Sequence, residues 1–100
     1  MKNNIHFLDE LFNIIQAKSK SKDNNSYTKQ LLKSGKNIIA QKVGEESFEL
    51  IIDYLNGSKK RTIEEASDLL YHFFVMLHSK KINLDDIKNE LKKRQNVRQK

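Results

Sequence analysis

Lys42-Val43-Gly44-Glu45-Glu46-Ser47-Phe48-Glu49-Leu50-Ile51-Ile52-Asp53-Tyr54-Leu55 is the stretch that decides the fold. With Ile38 and Ile39 just upstream, its apolar residues Val43, Leu50, Ile51 and Leu55 recur at helical spacing. Lys42, Glu46, Glu49 and Asp53 follow one another at four, three and four residues, so they line one face of that helix. Glu45 lies on the edge of this face, beside Glu49. A second cluster, Glu65-Ala66-Ser67-Asp68, falls on the next helix, where Glu65, Asp68 and His72 line up at three and four. Like charges at this spacing repel and destabilise an isolated helix. Two such clusters imply a cation between them, and an all-oxygen donor set points to Mg²⁺, with Mn²⁺ as the second choice. Two antiparallel helices with these faces opposed would build the carboxylate site inside a helical bundle.

Each cluster also has a plain structural reading. Glutamates are common on solvated faces, and Thr62-Ile63-Glu64-Glu65 has the form of a capping box, which would give Glu65 a purely local task. The pair is stronger than either alone because Asp68 abuts the apolar segment Leu69-Leu70-Tyr71-His72-Phe73-Phe74-Val75-Met76-Leu77. An acid there is expected to be paired, hydrogen-bonded or metal-bound. His72 reads as a satisfied interior histidine rather than a ligand.

The rest of the chain supplies the neighbours. Leu8, Leu11, Phe12 and Ile15 predict a first helix over residues 5–15, followed by a polar loop over 18–25. Ser26-Tyr27-Thr28 opens a short helix that runs through Leu31 and Leu32 and ends near Gly35. The second long helix spans 37–55 and stops at Asn56-Gly57. A third spans 62–79. A fourth, capped by Asn83 with Asp85 and Asp86 in its first turn, carries a thin stripe of Ile87 and Leu91 and frays from about residue 95. Gly44, inside the second long helix, costs about 1 kcal/mol relative to alanine and is read as a place of close approach. Residues 69–77 are apolar on every side and need cover on every side, more than three other helices provide. A second copy is expected to supply it. The sequence thus predicts one all-α domain over 1–100, a four-to-five-helix bundle completed by homodimerisation.

Composition narrows the chemistry. The 100 residues hold no cysteine, which excludes disulfides, thiolate nucleophiles and zinc–thiolate sites. With no proline and three glycines there is no glycine-rich phosphate loop. No apolar run approaches the roughly 20 residues that span a bilayer, and the N-terminus lacks a signal-peptide apolar region, so a cytoplasmic protein with no membrane partner is expected. The net charge is +6, concentrated in Lys18-Ser19-Lys20-Ser21-Lys22, Lys59-Lys60-Arg61 and the tail Lys92-Lys93-Arg94. A basic rim around an acidic centre suits an anionic substrate carried in on metal ions. A basic helical dimer that binds nucleic acid is the rival from another class, but the acids at 45–49 oppose it, and no nucleic-acid partner is expected.

Several stretches taken together resemble a known family. They are Ser26-Tyr27-Thr28 with Leu31, Gly35, Ile39-Ala40-Gln41-Lys42-Val43-Gly44-Glu45-Glu46, and Glu65-Ala66-Ser67-Asp68-Leu69-Leu70-Tyr71-His72. In order and spacing, over roughly residues 7–94, they resemble the phosphoribosyl-ATP pyrophosphatases of the all-α nucleoside triphosphate pyrophosphohydrolase (MazG-like) superfamily. The resemblance implies Mg²⁺-dependent hydrolysis of phosphoribosyl-ATP to phosphoribosyl-AMP and pyrophosphate, the second step of histidine biosynthesis. It places metal ligation on Glu46, Glu49, Glu65 and Asp68, and proton abstraction from the attacking water on Glu45 or Glu49. Lys42 becomes a phosphate contact, or else a charge that relieves carboxylate repulsion. Ser26, Tyr27 and Thr28 become substrate contacts, or else helix capping. The phosphoribosyl-AMP cyclohydrolase of the pathway is expected on a separate chain. One departure is Lys18, where the family often has arginine; lysine keeps the charge and loses the planar fork. The nearest alternative is a house-cleaning hydrolase of ordinary or damaged nucleoside triphosphates, which shares the acids and differs in base and sugar recognition.

Overall fold

The computed structural model describes residues 4 and 6–98. Five helices follow one another: α1 (Phe7–Ser19), α2 (Tyr27–Ser34), α3 (Lys36–Asn56), α4 (Lys59–Ser79) and α5 (Leu84–Arg98). The architecture is all-α, as the periodicity requires. Its backbone is the antiparallel pair of α3 and α4, joined at Gly57 and Ser58. Gly57 donates its N–H to the Asp53 carbonyl at 2.8 Å, and a Cβ there would meet the Asp53 carboxylate at 2.7 Å. Only glycine fits so tight a turn.

α1 and α2 pack on one side of this pair. Phe12, Ile15, Leu31, Ile39, Phe74, Val75 and Leu77 form the core, with Phe12 set edge-on to Phe74 at 5.5 Å. Gly35 separates α2 from α3 with φ 94° and ψ 173°, a conformation essentially reserved for glycine. α4 ends with Lys81 N–H on the His78 carbonyl and Ile82 N–H on the Leu77 carbonyl, both at 2.9 Å. Lys81 takes the left-handed φ of 61° that this cap demands. Ile82, Leu84 and Ile87 seat the start of α5 on the core, and Lys88 pairs with Asp9 of α1. Beyond that, Leu91 is exposed.

Several expectations need correction. α1 continues through Ser19, so the loop begins two residues later than its lysines suggest; Lys18 sits in the last turn, where a cation complements the helix dipole. α4 begins at Lys59, three residues before Thr62, with Ser58 as N-cap accepting the Arg61 N–H at 3.1 Å. The capping box at Thr62 therefore does not form: the Thr62 hydroxyl donates to the carbonyls of Ser58 and Asp53, and Glu65 is free of that task. Gly44 is exposed, and a Cβ there would meet nothing within 4 Å, so none of the described residues of this chain approaches it closely. One chain buries or half-buries every residue from Leu69 to Leu77, and Leu69, Leu70, Phe73 and Met76 line an apolar groove that opens to the surface. Further uncovered apolar surface lies on α3, at Phe48 (65% exposed), Ile51 and Leu55, and on α4 at Ile63. α5 runs to Arg98, and residues 99 and 100 lie outside the described residues.

Candidate metal and substrate site

The α3–α4 seam brings together acids from both clusters. Glu46 and Glu49 of α3 and Glu65 of α4 each offer a carboxylate oxygen, and these oxygens all lie within 4.8 Å of one another. Glu65 is buried, Glu46 half-buried and Glu49 exposed, so the group opens from the seam towards solvent. Two oxygens, Oε2 of Glu46 and Oε2 of Glu65, are fully shielded and have no hydrogen-bond partner. A buried anionic acceptor without a partner is costly. A hard divalent cation would satisfy both at once, so this donor set fits Mg²⁺ or Mn²⁺.

The electrostatics carry the same sign. Burial holds the Glu46 carboxyl above its usual range; His72 and Lys42 pull it down, and the charges of Asp68 and Glu65 push it further up. The Glu65 carboxyl is also raised, first by burial, then by its contact with Glu49, against the opposing pull of Arg61. Asp68 completes the electrostatic group one turn along α4 from Glu65. It is exposed rather than enclosed by the apolar segment it precedes, and it stands outside the three-acid set. Glu45 is exposed too, and is held by Lys42 at 4.0 Å and by the Gln41 amide at 3.4 Å.

Arg61 is a neighbour that sequence reasoning left among the surface lysines. Its guanidinium donates to Glu65 at 2.7 Å and Glu64 at 2.9 Å, and lies 3.8 Å from Asp53. With Glu49, Ile52, Asp53 and Glu65 it lines a hollow of about 260 Å³ against the acids. The signal was present in the spacing: Arg61 and Glu65 are one helical turn apart.

On the other flank, α2 delivers the Ser-Tyr-Thr word. Ser26 is buried as the N-cap of α2, accepting from the Lys29 N–H at 3.3 Å. The Thr28 hydroxyl is buried against the Tyr71 hydroxyl. Tyr27 alone turns outward, 48% exposed. Its hydroxyl is 3.0 Å from Nε2 of His72, whose Nδ1 is 2.7 Å from the carbonyl oxygen of Asp68. A carbonyl only accepts, so Nδ1 carries the proton and, in the neutral ring, Nε2 accepts from the tyrosine. His72 is thus a satisfied interior histidine that ties α2 to the α4 turn bearing Asp68.

Fold and site together define a class: an all-helical protein that opposes carboxylates across a two-helix seam, in a group that could hold a metal ion. The sequence matches the family model of phosphoribosyl-ATP pyrophosphohydrolase over residues 8–95. It is 44% identical over 87 residues to a phosphoribosyl-ATP pyrophosphatase of Sulfolobus acidocaldarius, covering 87% of this chain and 92% of that protein. A phosphoribosyl-ATP pyrophosphatase of Clostridium novyi is 42% identical over 91 residues, covering 91% and 83%. The histidine biosynthesis bifunctional protein HisIE of Buchnera aphidicola is 46% identical over 93 residues, and there the match covers 93% of this chain but 43% of the relative. The chain belongs to the phosphoribosyl-ATP pyrophosphohydrolase family.

Proposed function

We propose that this protein hydrolyses phosphoribosyl-ATP between the α and β phosphates, releasing phosphoribosyl-AMP and pyrophosphate, as the second step of histidine biosynthesis. It is a hydrolase of phosphoric anhydrides. The observation that carries the reading is the pair of shielded, partnerless oxygens on Glu46 and Glu65, two acids that with Glu49 bring carboxylate oxygens within 4.8 Å of one another. Glu46, Glu49 and Glu65 would hold the cation, and Asp68 would join them from the next turn of α4. Mg²⁺ bound there would neutralise charge on the triphosphate and on the departing pyrophosphate.

The remaining work belongs to the chain. Glu45, outside the three-acid group, takes the proton of the attacking water; Glu49 is the other group with that capacity. Lys42, which already stands beside Glu45, and Arg61, at the mouth of the hollow, meet the phosphate oxygens. Ser26 and Thr28 contribute by fixing the start of α2, and Tyr27 faces the substrate. Within the described residues no helix is long and apolar enough to cross a membrane. The proposed pathway goes with a cytoplasmic location, where phosphoribosyl-AMP would pass to a cyclohydrolase.

The functional unit in this reading is a homodimer. Phe48, Ile51, Leu55 and Ile63 continue an apolar groove of about 580 Å³ lined by Val43, Leu50, Ala66, Leu69, Phe73 and Met76. A patch of this kind on a small chain marks an interaction surface. Gly44, bare on the same side of α3, leaves room for a second helix to come close.

The test is a substrate panel: phosphoribosyl-ATP, dATP, dUTP and dCTP, each with Mg²⁺ and with chelator, followed by chromatography of the products. Metal-dependent pyrophosphate release confined to phosphoribosyl-ATP is the expected result. Turnover of the deoxynucleotides instead would keep the acid site and replace the pathway with triphosphate house-cleaning.

A further inference from the structure

The ring of Tyr27 is held at one end and bare at the other. Its hydroxyl is fixed by His72, which stands edge-on to it with centroids 5.9 Å apart. Tyr71 lies nearly parallel to it, at 26° and 6.1 Å, and is itself fixed by Thr28. Three side chains thus spend their hydrogen bonds setting the attitude of one ring that remains half exposed. An aromatic residue kept only for the core would be turned inward. This one forms a shelf beside the acids: His72, which anchors it, bonds to the Asp68 backbone and acts electrostatically on Glu46.

The substrate class follows from chemistry and rests on the proposed reaction. In phosphoribosyl-ATP the second ribose sits on N1 of the adenine. Alkylation at N1 turns the base into an amidine that holds a proton at neutral pH, so the ring is cationic where that of ATP is neutral. The face of a tyrosine attracts a flat cation in preference to its neutral counterpart. We propose that Tyr27 is the specificity-determining residue that stacks on the N1-substituted, positively charged adenine and so separates it from ordinary adenine nucleotides. The His72–Tyr27 hydrogen bond sets the shelf at a constant position relative to the carboxylates.

The experiment measures binding and so does not depend on turnover. The protein, with Mg²⁺ present, is titrated in a calorimeter with AMP and with 1-methyl-AMP, which share ribose and phosphate and differ in ring charge. Wild type is expected to prefer 1-methyl-AMP by about tenfold, a difference of about 1.4 kcal/mol and within the range of a cation held over an aromatic face. Tyr27→Leu brings the ratio towards one. Tyr27→Phe keeps the ratio, because the face remains, while binding of both ligands weakens with loss of the His72 anchor. A general folding defect would lower both affinities together and leave the ratio untouched. Equal binding of the two ligands by wild type overturns the proposal. So does a preference that survives in Tyr27→Leu, which would assign it to the nearby carboxylates. Failure of wild type to hydrolyse phosphoribosyl-ATP is read in a separate assay and would remove the reaction without altering these affinities.

Discussion

Glu46 and Glu65 are where the chain accepts an electrostatic cost in exchange for a site. Their carboxyl groups stand above the ordinary value of 4.5, mainly through burial. The sign of the consequence is fixed: a raised carboxyl contributes most to stability below that ordinary value and loses its contribution as pH rises through the folded-state value. Glu46→Gln carries no such penalty. Without metal, its melting temperature relative to wild type should rise as the pH goes from about 4 to about 7, and Mg²⁺ should shrink the gap by stabilising wild type alone. Thermal denaturation of both proteins in chelator and in Mg²⁺ checks this; a gap that does not move with pH would mean that the acids are well solvated. The acids themselves were legible from their spacing. What spacing could not give was depth. Asp68 reads as enclosed because apolar residues follow it, yet it lies at an exposed position on α4 while Glu65, one turn earlier, is 5% exposed. Nor could spacing reveal the contacts of Tyr27 with His72, which join residues far apart in the chain.

Among elements, the turns hold the helices that hold the site. Gly35 lies in a region of backbone space closed to other residues, so Gly35→Ala should destabilise the fold by about 1–3 kcal/mol. Lys81 is the reverse case, a side chain in a left-handed cap, and Lys81→Gly should stabilise by about 1 kcal/mol. Urea melts of the two variants should therefore shift in opposite directions; a shift in the same direction would refute the conformational argument. α4 breaks a local rule at its other end. Lys59, Lys60 and Arg61 occupy the first turn, where the helix dipole disfavours cations and where no acid stands. Arg61 is compensated by Asp53, Glu64 and Glu65. That inversion hid the helix start from sequence reasoning, because basic residues and Ser58 read more readily as loop than as a first turn. The long periodic helices, in contrast, were readable to within a few residues at each end, because their apolar spacing is set by the core they face.

For the whole molecule, the radius of gyration of 15.5 Å exceeds the roughly 13 Å typical of a compact 100-residue domain. The excess accompanies α5, which leaves the core after Ile87, and the bare apolar side of α3. A chain of 11.8 kDa should therefore sediment at twice that mass, and Phe48→Glu, which buries a charge in the proposed contact, should return it to a monomer. A monomeric wild type would refute the dimer and leave the patch without a partner. The all-α class was legible at this scale from the absence of proline and the helical periodicity. The full extent of the uncovered surface was not, since the apolar run on α4 gives no hint that Phe48, Ile51 and Leu55 of α3 also stay bare.

In the proposed reaction the carboxylates, the cation and the substrate meet in one site. Its most direct measurement is the rate of pyrophosphate release from phosphoribosyl-ATP by wild type, Glu46→Gln and Asp68→Asn, each with Mg²⁺ and with chelator, after circular dichroism has matched their helical content. Metal-dependent turnover by wild type is expected, with a loss of more than about a hundredfold in both variants, since each removes a carboxylate proposed to hold the cation. Substantial activity in either folded variant, or equal wild-type rates with and without Mg²⁺, would contradict it.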